Sequence, residues 1–257
     1  SGNIDESIRH ALTKFSHLHF VSTHKSREQV IKMGECPETV FNVGCPGTDL
    51  LLRTSPKNRF STLTHINKKI IQTPKKLHPK LPYILMIQHP VTTEYKNSGK
   101  QISETMWALK NRKEQMIILW PNIDAGADTL SKTLTKHSLL RKDGVAVFKH
   151  LPTDIFTNTM RNASCVVGNS SSGIREACYF GTPVVNIGSR QNGRERGSNV
   201  IDVPYVAVAI ARAIKMQIQH GRYPVEYIYG DGTAGKTLTD ICASISLPNI
   251  QKKIQYE

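Results

Sequence analysis

Between residues 83 and 203 the chain repeats one pattern, a short apolar run followed by a polar stretch with helical periodicity. Runs at 83–88, 116–120, 145–149, 165–168, 183–187 and 200–203 read as strands, and segments near 103–110, 124–137, 154–162 and 172–180 read as helices between them. Such alternation predicts an α/β fold with a parallel sheet covered by helices on both faces. Crossovers between parallel strands are right-handed almost without exception, and ligands of such sheets collect at the carboxyl ends of the strands, near the switch point. The residues directly after each strand are therefore where a site is expected.

The flanks are simpler. Asp5 to Phe15 places Ile8, Ala11, Leu12 and Phe15 on one face, with acids in the first turn, and predicts an amphipathic helix. A strand over 18–21, a helix over 26–33 ending at Gly34, and a strand over 40–43 come next, leading into the turn Gly44-Cys45-Pro46-Gly47. These strands are too few to close a sheet of their own. Two amphipathic helices, at 206–219 and 233–245, succeed the last strand.

Composition narrows what such a fold can serve. At 39% hydrophobic and 21% charged residues the chain has a globular make-up, which excludes a mostly unfolded one. Its apolar runs are strand-length, far short of the ~20 residues a membrane-spanning helix needs, so no membrane partner is expected. The five cysteines form no CxxC and no metal-ligand spacing; they read as reduced thiols of a cytoplasmic protein, with neither metal nor cofactor. The opening Ser1-Gly2-Asn3-Ile4-Asp5 stands at a helix start with no methionine or secretory segment, which points to a fragment of a longer chain.

The formal charge is +14, and more than half of that excess sits in 53–80, where eight Lys and Arg meet no acid and three prolines interrupt. A basic segment could bind nucleic acid, but Phe60 is its only aromatic, so it offers no stacking ladder. It reads as a solvated connector containing a helix, and no nucleic-acid partner is expected.

After the first strand comes Gln88-His89-Pro90-Val91-Thr92-Thr93. His89 is either a structural histidine or a functional one, and its address favours function more than a random position would. After the second, Pro121-Asn122-Ile123-Asp124-Ala125-Gly126 offers Asn122 as a ligand to a base or sugar edge, or as a helix N-cap. The most informative segment is Gly168-Asn169-Ser170-Ser171-Ser172-Gly173-Ile174-Arg175-Glu176. A strand there enters a Gly/Ser turn and a helix, an arrangement suited to phosphate or diphosphate, although it is neither a Walker loop nor a GxGxxG fingerprint. Glu176 stands where a carboxylate could hold the two hydroxyls of a ribose. The loop after the next strand carries Arg190, Arg194 and Arg196 among glycines, able to fork onto anionic oxygens.

Taken together with Ile4-Asp5-Glu6-Ser7-Ile8-Arg9-His10-Ala11, Gly181-Thr182-Pro183-Val184-Val185-Asn186 and Tyr229-Gly230-Asp231-Gly232, these segments resemble, in order along the chain, the hydrolysing UDP-N-acetylglucosamine 2-epimerases of sialic acid synthesis. The resemblance implies an α/β fold of the glycosyltransferase-B type, one complete Rossmann-like parallel-sheet domain plus the remnant of a second. The expected boundaries are 1–52 for the remnant, 53–80 for the basic connector, which matches the family poorly, 81–235 for the nucleotide-binding domain, and 236–257 for a helix and tail packing toward the first domain. UDP-N-acetylglucosamine and UDP are the implied partners, with a homo-oligomer at full length. Mapped by motif, Ser170 and Ser171 meet the diphosphate, Glu176 the ribose, Arg190 the phosphates or the cleft, and Asn122 the nucleotide side. His89 faces the reacting sugar, and Asp5 and Arg9 match an acidic catalytic position and its neighbouring arginine.

The implied chemistry is loss of UDP with removal of the proton at C2, giving a glycal, then addition of water with inversion at C2 to release N-acetylmannosamine. The family carries a further amino-terminal domain of well over a hundred residues ahead of the Asp5 helix, so the chain as given is expected to bind UDP weakly and turn over nothing. Non-hydrolysing epimerases carry Gly-His-Arg-Arg where this sequence has Gln88-His89-Pro90-Val91, which disfavours that branch. A glycosyltransferase of the same fold and a non-catalytic basic nucleic-acid module compete with the epimerase reading.

Overall fold

The computed structural model describes residues 4–69 and 76–245. The chain opens with α1 (Ile4–Phe15), β1 (His19–Val21), α2 (His24–Lys32), β2 (Val40–Asn42), α3 (Pro46–Arg53) and α4 (Arg59–Lys69). It continues through β3 (Tyr83–Ile87), α5 (Ser98–Lys110), β4 (Gln115–Leu119), α6 (Ala127–Lys136), β5 (Val145–Phe148) and α7 (Thr153–Asn162). The last elements are β6 (Cys165–Gly168), α8 (Ser171–Arg175), β7 (Val184–Ile187), β8 (Val200–Val203), α9 (Ala207–His220) and α10 (Ala234–Ser244). No described helix is long and apolar enough to cross a membrane.

The described residues form two compact units, Ser55–Glu226 and Ile4–Thr54 with 227–245; the expected tail beyond 245 lies outside the described residues. In the larger unit six parallel strands lie in the order β5-β4-β3-β6-β7-β8. Counted from its own first strand this is 3-2-1-4-5-6, a dinucleotide-binding order whose reversal falls between β3 and β6. All five residues of β3 are buried, because helices cover both faces of the sheet. Alternate residues serve opposite layers. Ile84, Met86, Met116 and Ile118 pack with Ile102 and Met106 of α5 and Ile210 and Ile214 of α9. Tyr83, Leu85, Ile87 and Ile117 pack with Leu63 and Ile66 of α4 and Ile155 and Met160 of α7. Each such side chain contributes about 2 kcal/mol by leaving water.

At the reversal, Ile87 pairs with Gly168. Gly168 has φ +136, and a Cβ there would lie 2.0 Å from the Ile87 carbonyl oxygen, so only glycine lets β6 end this close to β3.

The smaller unit holds the parallel pair β1–β2. Glu35, 3% exposed, receives His19 Nε2 at 3.0 Å and Lys14 Nζ at 3.1 Å. Asp49, on α3, accepts from the Ala234 and Gly235 backbone N–H groups at 3.2 and 2.7 Å, and so caps α10 from nearly two hundred residues away.

Four expectations differ from what is observed. Of the 53–80 segment, 55–69 and 76–80 belong to the sheet unit and are no solvated connector, since α4 buries Leu63 and Ile66 and Leu77 is buried beyond it; 70–75 lie outside the described residues. The turn at 44–47 opens directly into α3, with Pro46 at its first position, where a missing N–H costs nothing. The helix expected over 172–180 breaks at Glu176, whose φ of −109° separates α8 from a 3-10 turn at Ala177–Phe180. Finally, Asn122 is not a helix cap, because α6 starts later and Gly126 is its N-cap.

Candidate functional site

A crevice of about 280 Å³ opens at the carboxyl end of the sheet, lined by residues from the loops after β3, β4, β5 and β6. His89 comes from the loop after β3, Trp120 and Asn122 from the loop after β4, and Ser170 and Ser172 from the turn after β6. Lys149, His150, Leu151 and Thr153 come after β5, with Phe156 one turn into α7. Among the described residues no Asp or Glu lines it, and Lys149 and the imidazoles of His89 and His150 share it with an apolar wall of Leu119, Trp120, Leu151 and Phe156. Such a crevice suits a ligand that is anionic at one part and flat and apolar at another.

His89 is 8% exposed. Burial, and secondarily the Arg190 guanidinium, push its pKa down to about 4. Its Nδ1 accepts the Asn122 backbone N–H at 3.1 Å, which requires a bare Nδ1 and leaves the proton on Nε2. At neutral pH His89 is thus a neutral imidazole that donates through Nε2. A base this weak is poorly matched to abstracting a proton from carbon.

Ser170 is the N-cap of α8; its hydroxyl accepts the Ser172 N–H at 3.3 Å. Capping and crevice-lining coexist here, since a hydroxyl has two lone pairs and a proton. Ser171 opens α8, half-buried, and is not among the lining residues; Ser172 is. Glu176, half-buried at the end of α8, is raised above the usual carboxylate range by burial, against the opposing effects of Arg175 and of the Ser172 hydroxyl. Ser172 therefore links Glu176 to the crevice wall. Arg190 donates through Nη1 to the Asn169 carbonyl at 3.2 Å. His89, Asn122, Ser170, Glu176 and Arg190 all belong to the Ser55–Glu226 unit.

Asp5 and Arg9 belong to the other unit, both on α1. Arg9 is half exposed, 3.5 Å from Glu6, and the Asp5 side chain lies outside the described residues. Among the described residues no group of three His, Cys, Asp or Glu side chains could hold a metal ion.

The residues after β5 are an addition to the expected site, although the rule that sites lie after strands points at them as much as at the others. Their string Lys149-His150-Leu151-Pro152-Thr153 holds no glycine or serine run to attract notice. Asn169 is a second addition: it is fully buried, and both its side chain and its carbonyl bond to loops around the crevice.

A family model described as UDP-N-acetylglucosamine 2-epimerase matches residues 1–243. The hydrolyzing UDP-N,N'-diacetylbacillosamine 2-epimerase of Legionella pneumophila is 35% identical over 247 residues, 96% of this chain and 63% of that protein. The hydrolyzing GDP/UDP-N,N'-diacetylbacillosamine 2-epimerase of Campylobacter jejuni is 34% identical over 202 residues, 78% of this chain and 50% of that protein. Among solved structures, UDP-GlcNAc 2-epimerase from Neisseria meningitidis bound to UDP-GlcNAc superposes with a TM-score of 0.69 at 16% identity, over 91% of this chain and 63% of that one. That likeness concerns the fold, and it agrees with the glycosyltransferase-B-type α/β class that the sequence implies. The chain thus spans between half and two thirds of each of these proteins. With a family match running from residue 1 to residue 243, the chain belongs to the UDP-N-acetylglucosamine 2-epimerase family.

Proposed function

We propose that the crevice holds the UDP part of a UDP-2-acetamido sugar, and that this chain is the nucleotide-binding portion of a hydrolysing 2-epimerase acting in the cytoplasm without metal or cofactor. The observation that carries the reading is the acid-free crevice at the β3–β6 switch point, where His89, Asn122, Ser170 and Lys149 surround one space. Ser170, Ser171 and Arg190 take the diphosphate, Glu176 the ribose, and Asn122 the nucleotide side. The hydrolysing outcome is supported by the Legionella and Campylobacter relatives, both named as hydrolyzing enzymes, and by Gln88-His89-Pro90-Val91.

In this reading UDP departs as the proton at C2 is removed, and water then adds to the glycal with inversion at C2. His89, neutral and protonated at Nε2, is a donor that steadies negative charge developing on the departing diphosphate or the sugar. Proton abstraction falls to carboxylates, with Asp5 the candidate in this chain and Arg9 its neighbour. The Legionella and Campylobacter relatives are named for N,N'-diacetylbacillosamine, so competition between UDP-N-acetylglucosamine and UDP-N,N'-diacetylbacillosamine distinguishes the two sugars.

Because the relatives extend well beyond this chain, it is proposed to bind UDP weakly, to release no N-acetylmannosamine on its own, and to assemble as a homo-oligomer only within the longer protein. Calorimetry with UDP tests the site. Exchanging Ser170 and Ser171 together for alanine is expected to weaken UDP by about tenfold or more, as loss of hydrogen bonds to a charged group does. An unchanged affinity rejects the site, and measurable sugar release by the chain alone rejects the need for further residues.

A further inference from the structure

We propose that Asn169 is the positioning residue of the crevice: its buried amide fixes the His89 wall against the Ser170 wall and seats the loop that carries Arg190. This rests on the crevice being the UDP site.

The pairing of β3 with β6 ends at Ile87 and Gly168, with one more backbone bond from the Asn169 N–H to the Ile87 carbonyl at 3.1 Å. Beyond that point the two chains enter different loops, and nothing in the sheet holds His89 in place. The Asn169 side chain supplies the next rung. Its Oδ1 accepts the His89 backbone N–H at 2.7 Å, and its Nδ2 donates to the His89 carbonyl at 2.8 Å. Nδ2 also stands 3.3 Å from the Tyr205 hydroxyl, on the segment after β8. The Asn169 carbonyl accepts Gln191 Nε2 at 2.8 Å and Arg190 Nη1 at 3.2 Å, both from the loop after β7. One fully buried residue therefore ties together the segments that leave β3, β6, β7 and β8.

The reciprocal pair with His89 demands an acceptor and a donor on one short planar group, which among the side chains asparagine offers at this length. Aspartate has the same shape but no donor, so it would oppose the His89 carbonyl with a lone pair. Glutamine would push the amide one methylene too far into a filled site. A displaced His89 backbone carries its ring with it, and the Asn122 bond to Nδ1 along with it.

The decisive variant is Asn169→Asp, with UDP affinity read by calorimetry and the His89 ring titrated by NMR in the ligand-free chain. UDP binding is expected to weaken by about tenfold or more. The His89 titration, near pH 4 in the parent, is expected to rise by about one unit or more, because a carboxylate now stands beside it to oppose Arg190. Asn169→Leu, which adds no charge, separates charge from position: a His89 ring released from its place is expected to titrate higher than in the parent there too, and an unmoved ring to titrate as in the parent. In the unsubstituted chain, the Asn169 side-chain amide protons are expected to exchange with solvent as slowly as buried sheet amides, a measurement that needs no variant to fold. Fast exchange, or an Asn169→Asp protein with the parental titration and UDP affinity, overturns the inference. If the parent itself shows no UDP binding, the UDP reading fails, and exchange and titration still decide the role of Asn169.

Discussion

In the Ser55–Glu226 unit and in the smaller unit, buried polar residues serve different purposes. The larger unit stands on apolar layers, with Ile84, Leu85, Met116, Ile117 and Val167 fully excluded from water. At the carboxyl edge of its sheet His89, Asn169 and Ser170 are buried as well; His89 and Ser170 line a crevice there, and Asn169 bonds the loops around it. The smaller unit has strands of only three residues, and its buried polar groups act as fasteners: Glu35 between His19 and Lys14, and Asp49 on the start of α10. Buried polar side chains clamp backbone in both units, as Gln217 does with the Val184 and Asn199 carbonyls in the larger one, and in the larger one His89 and Ser170 line a crevice besides.

The largest expected effect contrasts one glycine from each unit. Gly168→Ala drives a methyl group to 2.0 Å from the Ile87 carbonyl at φ +136, and neither strand can yield without opening the switch point. It is expected to cost about 4 kcal/mol or more, or to prevent folding. Gly34→Ala also sits at positive φ, but its nearest neighbour is the tip of the Lys14 side chain at 3.5 Å. That change is expected to cost about 1 kcal/mol, the strain of the backbone alone. Urea unfolding of both variants measures the gap, and equal losses would break the comparison.

Acid sharpens it next. In the folded chain burial holds His89 near pKa 4, against 6.5 for the unburied ring. Above pH 6.5 both states leave the ring neutral and it has no effect; as pH falls below 6.5 the unfolded chain takes up a proton that the folded chain refuses. Stability of the sheet unit is therefore expected to fall between pH 6.5 and 4 by about 3 kcal/mol from this group, and to level off below. His89→Gln should flatten that slope in pH-dependent denaturant melts; a slope that persists unchanged assigns the acid sensitivity elsewhere.

The same contrast explains how much could be read in advance. The β6 run 165–168, buried along its length, and the β8 run 200–203 at the sheet edge coincide with the observed strands, and the sheet is parallel as the alternation demands. His89, Asn122 and Ser170 meet at one crevice because the rule that sites lie after strands depends only on connection order. The features hidden from a sequence reading depend on long-range pairing. Nothing local to Asn169 says that it will bond a histidine 80 residues earlier, and nothing local to Asp49 says that it will cap a helix near residue 234. The 53–80 segment misleads for a related reason. Its charges are what a composition count sees, while Leu63, Ile66 and Leu77, which decide its place, are few among them.

A smaller effect than that of acid concerns the two capping bonds of the lesser unit. Thr233, the N-cap of α10, makes no side-chain cap of its own, so the first N–H groups of the helix depend on the Asp49 carboxylate. Asp49→Ala removes both bonds and leaves those donors to water or to nothing, at a cost of about 2 kcal/mol. Asp49→Asn keeps one acceptor oxygen and should lose about half as much. Because α10 and α3 lie in the same unit, the loss should appear there first. Limited proteolysis of Asp49→Ala should cut within 4–54 or after 227 while a 55–226 core survives. If 55–226 is degraded at the same rate, the two units melt as one, and a clamp in the smaller unit supports the larger sheet as much as its own helix.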